Sequence, residues 1–244
     1  MENAELIGLS RQTALRRQLD VVANNLANIS TSGYKAERSQ FAEYIMPTAE
    51  ASSFQMADRS VSYVWDRGTV TDFNPGAVTL TGNPLDVTLR EGDFFVIDTP
   101  AGERYTRNGA FQINSEGLLT TSEGMAVQGE GGSISFAPAE VDITISADGT
   151  ISSSAGLKGK LQAVSFESPQ LLTREGASLF AGENANPAQS TFTQGALEGS
   201  NVQGVTEITD MIEISRAYQS LSNMLKRMDD LRQSAVQKLG RIDA

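Results

Sequence analysis

From Val205 to Leu239 the chain runs without a glycine or proline, and Gly240 then supplies a helix stop. Apolar or small residues recur through this stretch at Ile208, Met211, Ser215, Tyr218, Leu221, Leu225, Met228, Leu231, Ala235, Leu239 and Ile242. The mean step is about 3.4 residues, close to the 3.5 repeat of a coiled-coil seam. The pattern predicts one helix roughly 50 Å long, at 1.5 Å rise per residue. Glu207, Asp210, Glu213, Arg216, Lys226, Arg227, Asp229, Asp230 and Arg232 punctuate it, so it is not a membrane span. A helix of this length needs an equally long surface to lie against.

The other end of the chain offers one. Leu15, Leu19, Val22, Leu26 and Ile29 are spaced 4, 3, 4 and 3 and predict a second amphipathic helix reaching about Ile29. Ser30, Thr31, Ser32 and Gly33 end it. Asn24, Asn25 and Asn28 are poor helix formers near that end. They either face solvent or hydrogen-bond across helices and fix their register.

Between the ends the chain changes character. All seven prolines lie between Pro47 and Pro187, and 19 of the 22 glycines lie between Gly68 and Gly204. Short runs of strand formers follow one another: Val61–Trp65, Ala77–Leu80, Leu85–Leu89, Phe94–Ile97, Phe111–Ile113, Val141–Ile145 and Leu161–Phe166. Turn signals separate them at Gly82-Asn83-Pro84, Arg107-Asn108-Gly109 and Ala147-Asp148-Gly149. Residues 113–124 and 145–156 match at an offset of 32, each carrying acid-Gly and then Ser-x-Gly, which predicts two similar hairpins. From Thr173 to Gly199 the polar, Gly/Asn-rich chain reads as a return connection. Trp65, Phe73, Phe94, Phe95, Tyr105, Phe111 and Phe136 read as strand residues filling a core. The predicted class is mainly β: an all-β body, sandwich- or barrel-like, flanked by terminal helices that pair in a coiled-coil-like layer. The expected division is 1–46 (helix and adjoining segment), 47–199 (β-rich body) and 200–244 (long helix), with the two ends forming one helical assembly domain.

Charge divides along the same lines. Residues 1–46 carry five basic and five acidic side chains, and 205–244 carry six of each, so the middle holds the entire net charge of −11. An acidic body argues against nucleic-acid binding, whereas neutral ends can pack side by side without repulsion. The chain has no cysteine and no histidine, which removes disulfides, thiolate nucleophiles, Cys/His zinc sites and Ser-His-Asp catalysis. No nucleophile elbow or P-loop occurs, and Gly129-Glu-Gly131 begins a dinucleotide fingerprint without completing it. Asn28-Ile29-Ser30 fits a glycosylation sequon but falls at a helix end. No catalytic, cofactor-binding or metal-binding residue is expected. The N-terminus, Met-Glu-Asn-Ala-Glu, lacks the basic and apolar regions of a Sec signal, and no apolar run reaches membrane-span length. Two other classes stay open: a secreted carbohydrate-active β enzyme working with two of the scattered carboxylates, and an adhesin on a coiled-coil stalk.

Three blocks carry a resemblance to a known family. Leu19-Asp-Val-Val-Ala-Asn-Asn-Leu-Ala-Asn-Ile-Ser-Thr-Ser-Gly-Tyr-Lys35 is similar to the N-terminal signature of the bacterial flagellar rod and hook family. Thr81-Gly-Asn-Pro-Leu-Asp-Val87, Tyr105-Thr-Arg-Asn-Gly109 and Gly117-Leu-Leu-Thr120 resemble its central block. Gln194-Gly-Ala-Leu-Glu-Gly-Ser-Asn-Val202, Met211-Ile212 and Arg216-Ala-Tyr218 resemble its C-terminal block. Within the family the short middle region is most like the proximal-rod branch, with the distal rod a close competitor. One departure is Glu91-Gly92-Asp93, where the family has Gly-Asp-Gly, which puts that turn's geometry in question.

The resemblance implies a non-catalytic axial component of the basal body, without cofactor, membrane span or small-molecule substrate. Such a chain would leave the cell unfolded through the flagellar type III export apparatus and polymerise in the periplasm with copies of itself and other rod proteins. Terminal helices would form the inner layer and the β body would face outward. The positions matching the family's signature are Asn24, Asn25, Leu26, Asn28, Gly33, Tyr34, Leu197, Glu198, Ser200, Asn201, Val202, Arg216 and Tyr218. The expected assembly seam is Leu15, Leu19, Val22, Leu26, Ile29, Ile208, Met211, Leu221, Leu225, Met228, Leu231 and Leu239.

Overall fold

A computed structural model describes residues 2–46, 61–138, 140–176 and 178–239. The chain forms two compact units. One is assembled from three separate segments, 1–26, 37–70 and 204–244; the other comprises 27–36 and 71–203. Among the described residues no helix is long and apolar enough to cross a membrane.

The first unit is built on α1 (Glu2–Ala27), the paired strands β1 (Glu37–Met46) and β2 (Val61–Thr71), and α2 (Gly204–Leu239). α2 fills the uninterrupted run read from the sequence, with Glu207 in its first turn and Lys238 in its last, charges that suit the helix dipole. Gly240, the expected cap, lies outside the described residues. The helices are antiparallel. Asn25 of α1 reaches Glu207 of α2 at one end, and 17 residues earlier Gly8 abuts Leu225 of α2, where a Cβ would come within 2.5 Å of the leucine side chain. α1 stops at Ala27, short of the expected Ile29, because a turn closes by Thr31 N–H donating to the Asn28 carbonyl (3.1 Å).

The β1–β2 pair was not anticipated: Glu37–Met46 mixes polar and apolar residues too evenly to stand out as a strand. Trp65, expected in a core, is instead 60 % exposed on β2.

The second unit is the β body. Its strands are β3 (Val78–Leu80), β4 (Val87–Leu89), β5 (Asp93–Thr99), β6 (Gly102–Thr106), β7 (Phe111–Ile113), β8 (Leu119–Thr121), β9 (Ala126–Gly129) and β10 (Gly132–Ser133). There follow β11 (Thr144–Ile145), β12 (Thr150–Ser153), β13 (Gly156–Lys160) and β14 (Ala163–Ser165). The last five are β15 (Thr173–Glu175), β16 (Leu179–Ala181), β17 (Asn186–Pro187), β18 (Phe192–Gln194) and β19 (Ala196–Glu198). The main sheet runs β15-β16-β6-β5-β9-β8-β7, with β10 on β9 and β14 bridging β5 and β17. β11-β12-β13 form a second sheet, and β18–β4 and β19–β3 form two pairs. The pairing paths are open, so among the described residues no sheet closes into a barrel.

Two expectations need correction. Residues 173–199 are not a connection: they hold β15 to β19 and pair back onto β6, β14, β4 and β3. The strands there are two or three residues long, too short for alternation to register. Phe73 lies outside the strands but still packs on the core, 5.7 Å between ring centroids from Phe94.

β5 organises this unit. Residues 93–97 are all buried, so both of its faces are covered. Strand alternation sends Phe95 and Ile97 to one core, with Val87, Phe111, Leu119, Val127 and Ile151, and Phe94 and Val96 to another, with Tyr105, Val164 and Phe180. Just before β5, Gly92 has φ +82° and the Asp93 N–H donates to the Arg90 carbonyl (3.3 Å), so the departure at 91–93 still makes a turn on a glycine.

The 32-residue repeat is structural. Ile113 pairs with Leu119 as Ile145 pairs with Ile151. The Gly117 N–H donates to the Asn114 carbonyl (3.0 Å) as that of Gly149 does to Ser146 (2.9 Å), and φ is +83° and +88° at the two glycines. Each is crowded: a Cβ on Gly117 would lie 2.1 Å from the Phe136 carbonyl oxygen, and one on Gly149 would lie 2.6 Å from the Phe192 ring. Gly124, also at positive φ, faces open space. Gly124→Ala should therefore lose about 1 kcal/mol, from backbone strain alone, and Gly117→Ala about 3 kcal/mol or more. Urea unfolding of each variant measures the difference; equal losses would show that the close packing at Gly117 is not rigid.

Candidate assembly site

The three sequence blocks that carry the family resemblance meet in space around a single carboxylate. Glu198, at the end of β19, is buried with both oxygens engaged. Lys35 Nζ donates to Oε1 (2.6 Å) and the Gly76 N–H donates to the same oxygen (3.0 Å). Arg107 donates to Oε2 from both Nε (2.8 Å) and Nη2. Side-chain exposures are 1 % for Lys35, 2 % for Glu198 and 4 % for Arg107, so one buried carboxylate is shared by two buried cations. Further donors are used: Lys35 Nζ reaches the Asn74 carbonyl (2.8 Å), and Arg107 Nη1 reaches the carbonyls of Arg90 (2.8 Å) and Asp93.

Backbone geometry brings these residues together. Gly33 has φ +69°, and a Cβ there would lie 2.3 Å from the Asn108 nitrogen, so only glycine lets the turn lie against the Arg107–Asn108 backbone. The Gly33 N–H then donates to the Glu198 carbonyl (2.7 Å). Asn201 fixes the adjoining strand ends: its Oδ1 accepts from the Ala36 N–H (2.7 Å), and its Nδ2 donates to the carbonyls of Asp72 (2.8 Å) and Asn74 (3.0 Å). Tyr34, Ala36 and Val202 make a small apolar cluster beside it, and the Arg174 guanidinium stacks on Tyr34, 4.6 Å from the ring centroid.

In the helical unit Asn25 plays the matching part. It is buried; its Oδ1 accepts from the Glu37 N–H (2.9 Å), and its Nδ2 donates to the Glu37 carbonyl (2.8 Å) and to Glu207 Oε2 (3.2 Å). One amide thus joins α1, β1 and α2. Of the two readings open for the asparagines, Asn25 takes the cross-helix one. Asn24 is exposed, with Nδ2 donating to the Asp20 carbonyl (2.9 Å), and Asn28 accepts from the Thr31 hydroxyl (3.1 Å) in the turn. A cleft of about 360 Å³ opens among α1, β1 and α2, floored by Val21, Val22 and Ile214 and rimmed by Glu207, Asp210 and Glu213.

The expected seam residues divide. Val22 is buried, and Leu15, Leu19, Leu26, Met211, Leu221, Leu225 and Met228 are half-buried. Ile29, Ile208 and Leu231 are exposed. Leu239 ends α2, and its side chain lies outside the described set. Of the other signature positions, Ser200 accepts from the Val202 N–H (3.2 Å), Tyr218 is half-buried and Arg216 is exposed. Sequence reasoning missed Arg107 and Lys35 as partners of Glu198, and Glu207 as a buried acid, because charges 91 to 182 residues from their partners leave no periodic trace. The one available signal was that charged residues sit inside the family-resembling blocks Gly-Tyr-Lys, Tyr-Thr-Arg-Asn-Gly and Leu-Glu-Gly-Ser-Asn.

Burial, joined by the nearby Arg107 charge, pushes the Lys35 ammonium below its ordinary value, and Glu198 opposes that only in part. Burial would raise the Glu198 carboxyl, but the charges of Arg107 and Lys35 and the Lys35 hydrogen bond overcome it, and the net direction is down. Glu198 therefore contributes stability that is complete above the ordinary glutamate range and is lost as pH falls through its lower folded value. Lys35 has the opposite sense: its lowered value makes the unfolded chain bind the proton more readily, so its unfavourable share fades as pH rises toward the ordinary lysine range. Glu198→Gln, which strands two buried cations, should cost about 3–5 kcal/mol near neutral pH. The deficit should shrink on acidification, as the wild-type carboxyl itself protonates; urea midpoints between pH 3 and 7 measure this, and a loss independent of pH would contradict it.

The comparisons with known proteins fall on the same segments. Residues 6–35 match the flagella basal body rod protein family, 91–153 match the flagellar hook protein FlgE/F/G D1 domain, and 193–238 match the flagellar basal body rod FlgEFG protein C-terminal family. The flagellar basal-body rod protein FlgF of Caulobacter vibrioides is 39 % identical over the full length of both chains. FlgF of Salmonella typhimurium is 31 % identical, covering 94 % of this chain and 95 % of its own. The flagellar basal-body rod protein FlgG of Bacillus subtilis is 29 % identical, covering 94 % and 96 %. With like sequence from end to end and its three blocks closing on one buried carboxylate, the chain belongs to the flagellar basal-body rod protein family.

Proposed function

We propose that this chain is a structural subunit of the bacterial flagellar basal-body rod, placed in the proximal rod and assembling with other rod proteins and with copies of itself. The observation that carries the reading is end-to-end identity of 39 % with a FlgF, with no large insertion or missing block. The distal rod is the alternative, favoured by the B. subtilis FlgG match over 94 % of the chain. The role is mechanical, and no catalytic step is assigned to any residue.

Physical chemistry supports assembly through the terminal helices. Leu225 meets Gly8 across the antiparallel hairpin, and Leu15, Leu19, Val22, Leu26, Met211, Leu221 and Met228 are buried or half-buried within one subunit. Ile29, Ile208 and Leu231 remain exposed and are the part of the seam that neighbours would bury. A heterologous contact whose rotation does not close yields a filament, the form a rod requires. Neutral ends permit close packing, while the acidic β body suits a solvated outer surface. Export in an unfolded state through the flagellar type III apparatus and residence in the periplasm complete the reading; nucleic acid, membrane lipid and small substrates have no part in it.

Expression in a Caulobacter strain lacking FlgF should restore swimming, and expression in a strain lacking FlgG should not. The reverse pattern would move the chain to the distal rod. Leu225→Asp, which places a charge against Gly8 in the hairpin, should abolish recovery in isolated basal bodies while leaving the thermal unfolding of the β body in place. Normal incorporation of that variant would remove the terminal helices from the assembly mechanism.

A further inference from the structure

Within its 26 residues α1 holds a single glycine, Gly8. Glycine weakens a helix relative to alanine, so a glycine inside one usually answers to space. Leu225 of α2 takes that space: the three atoms nearest to a Cβ on Gly8 would be its Cδ2, Cγ and Cδ1, at 2.5, 3.3 and 3.5 Å. The bare backbone is a notch that receives one leucine. Toward the other end of the pairing stands a polar contact. The Asn25 amide closes on both the N–H (2.9 Å) and the carbonyl (2.8 Å) of Glu37, which fixes its orientation. So held, its Nδ2 donates to Oε2 of the buried Glu207 on α2 (3.2 Å).

Apolar packing by itself does not choose this alignment. Leu221, Leu225 and Met228 follow one another at spacings of 4 and 3, and leucine and methionine exchange in a core at little cost. A slide of one turn would bring Leu221 or Met228 to Gly8 with the apolar stripes still facing each other. The same slide would bring Gln203 or Asp210 to Asn25. Gln203 precedes the helix and Asp210 is one methylene shorter than glutamate, so neither reproduces the Glu207 contact at a site where an unmatched donor is costly. Alignment also sets how far α2 extends. Counted outward from the Gly8–Leu225 contact, the first residue of α1, Glu2, falls level with Leu231, and the last turns of α2 run on beyond it. One turn of slip would change that extension by about 5.4 Å. Resting on the reading of the chain as a rod subunit, we propose that Asn25 and Glu207 are positioning residues which, with the Gly8 notch, fix the register of the terminal hairpin and so the length of α2 offered for assembly.

The chain has no cysteine, so Arg16→Cys and Ser234→Cys, both at exposed positions, carry two nitroxide spin labels and no others. In this register they stand about 25 Å apart along the hairpin, and pulsed electron–electron resonance on the full-length chain should give one distance. Asn25→Ala and Glu207→Ala should each add a second population displaced by about 5 Å, one turn. Glu207→Gln keeps an acceptor oxygen and should keep the single distance, which a general loss of helix packing would not. Gly8→Ala strengthens α1 as a helix, so a displaced distance in that variant reports the filled notch and not unfolding. If Asn25→Ala loses its peak without a displaced one, Gly8→Ala decides: a displaced distance supports the register device and an unchanged one overturns it. A single unchanged distance in both variants, or no defined distance without them, also overturns it. In cells, a correct register left to a tenth of the chains should lower incorporation of unlabelled Asn25→Ala into basal bodies roughly tenfold. Displaced register with undiminished incorporation would overturn the link to assembly, whereas wild-type chain absent from basal bodies would overturn the rod assignment itself.

Discussion

Glu198 is the point on which the β body depends. Its carboxylate is taken out of water, an act that costs several kcal/mol unless good partners replace the solvent. Here the partners are Lys35, Arg107 and the Gly76 N–H, drawn from three regions far apart in sequence. Each needs the others. Lys35 without Glu198 would be a buried cation with only the Asn74 carbonyl, and Glu198 without Arg107 would lose a two-pronged hydrogen bond. The segment at 27–36 therefore cannot settle in its place until the chain through residue 198 is available. For a subunit that serves only after assembly, such a lock makes completion of the fold conditional on the whole chain.

The rest of the second unit follows from that lock and from β5. The turn at Gly33 lies against the Arg107–Asn108 backbone because no side chain intervenes, and this presents the Gly33 N–H to the Glu198 carbonyl. Arg107 in turn holds the carbonyls of Arg90 and Asp93, at the entry to the doubly buried strand. In the helical unit the polar fastening is smaller: a single amide, Asn25, satisfies one backbone pair and one acid. Both sites follow one rule, that a buried polar group persists where hydrogen-bonding partners replace the water it gives up.

Much of this was legible from the residues. The long C-terminal helix, a second amphipathic helix at the N-terminus and the mainly β middle follow from periodicity and from the distribution of glycine and proline. The paired hairpins at 113–124 and 145–156 follow from a repeat that keeps the same turn hydrogen bonds. What could not be read was of two kinds. Strands of two or three residues, such as Asn186–Pro187 and Ala196–Glu198, are defined by their partners and carry no pattern of their own. Long-range polar contacts such as the Arg107–Glu198 ion pair and the Asn25–Glu207 hydrogen bond depend on the tertiary fold. The division of the seam was hidden for a related reason: apolar spacing marks a stripe, but Ile208 and Met211 look alike until the direction of the neighbouring helix is fixed.

Native-state hydrogen exchange on the full-length chain tests the central claim most directly. The Gly33 and Gly76 amides both donate to Glu198, one to its carbonyl and one to its carboxylate. If the cluster locks the β body, both should exchange only through global unfolding of that unit, with the same opening free energy as the amides of Phe95 and Val96 in β5. Exchange of Gly33 and Gly76 through low-energy local openings, while β5 stays protected, would contradict the account.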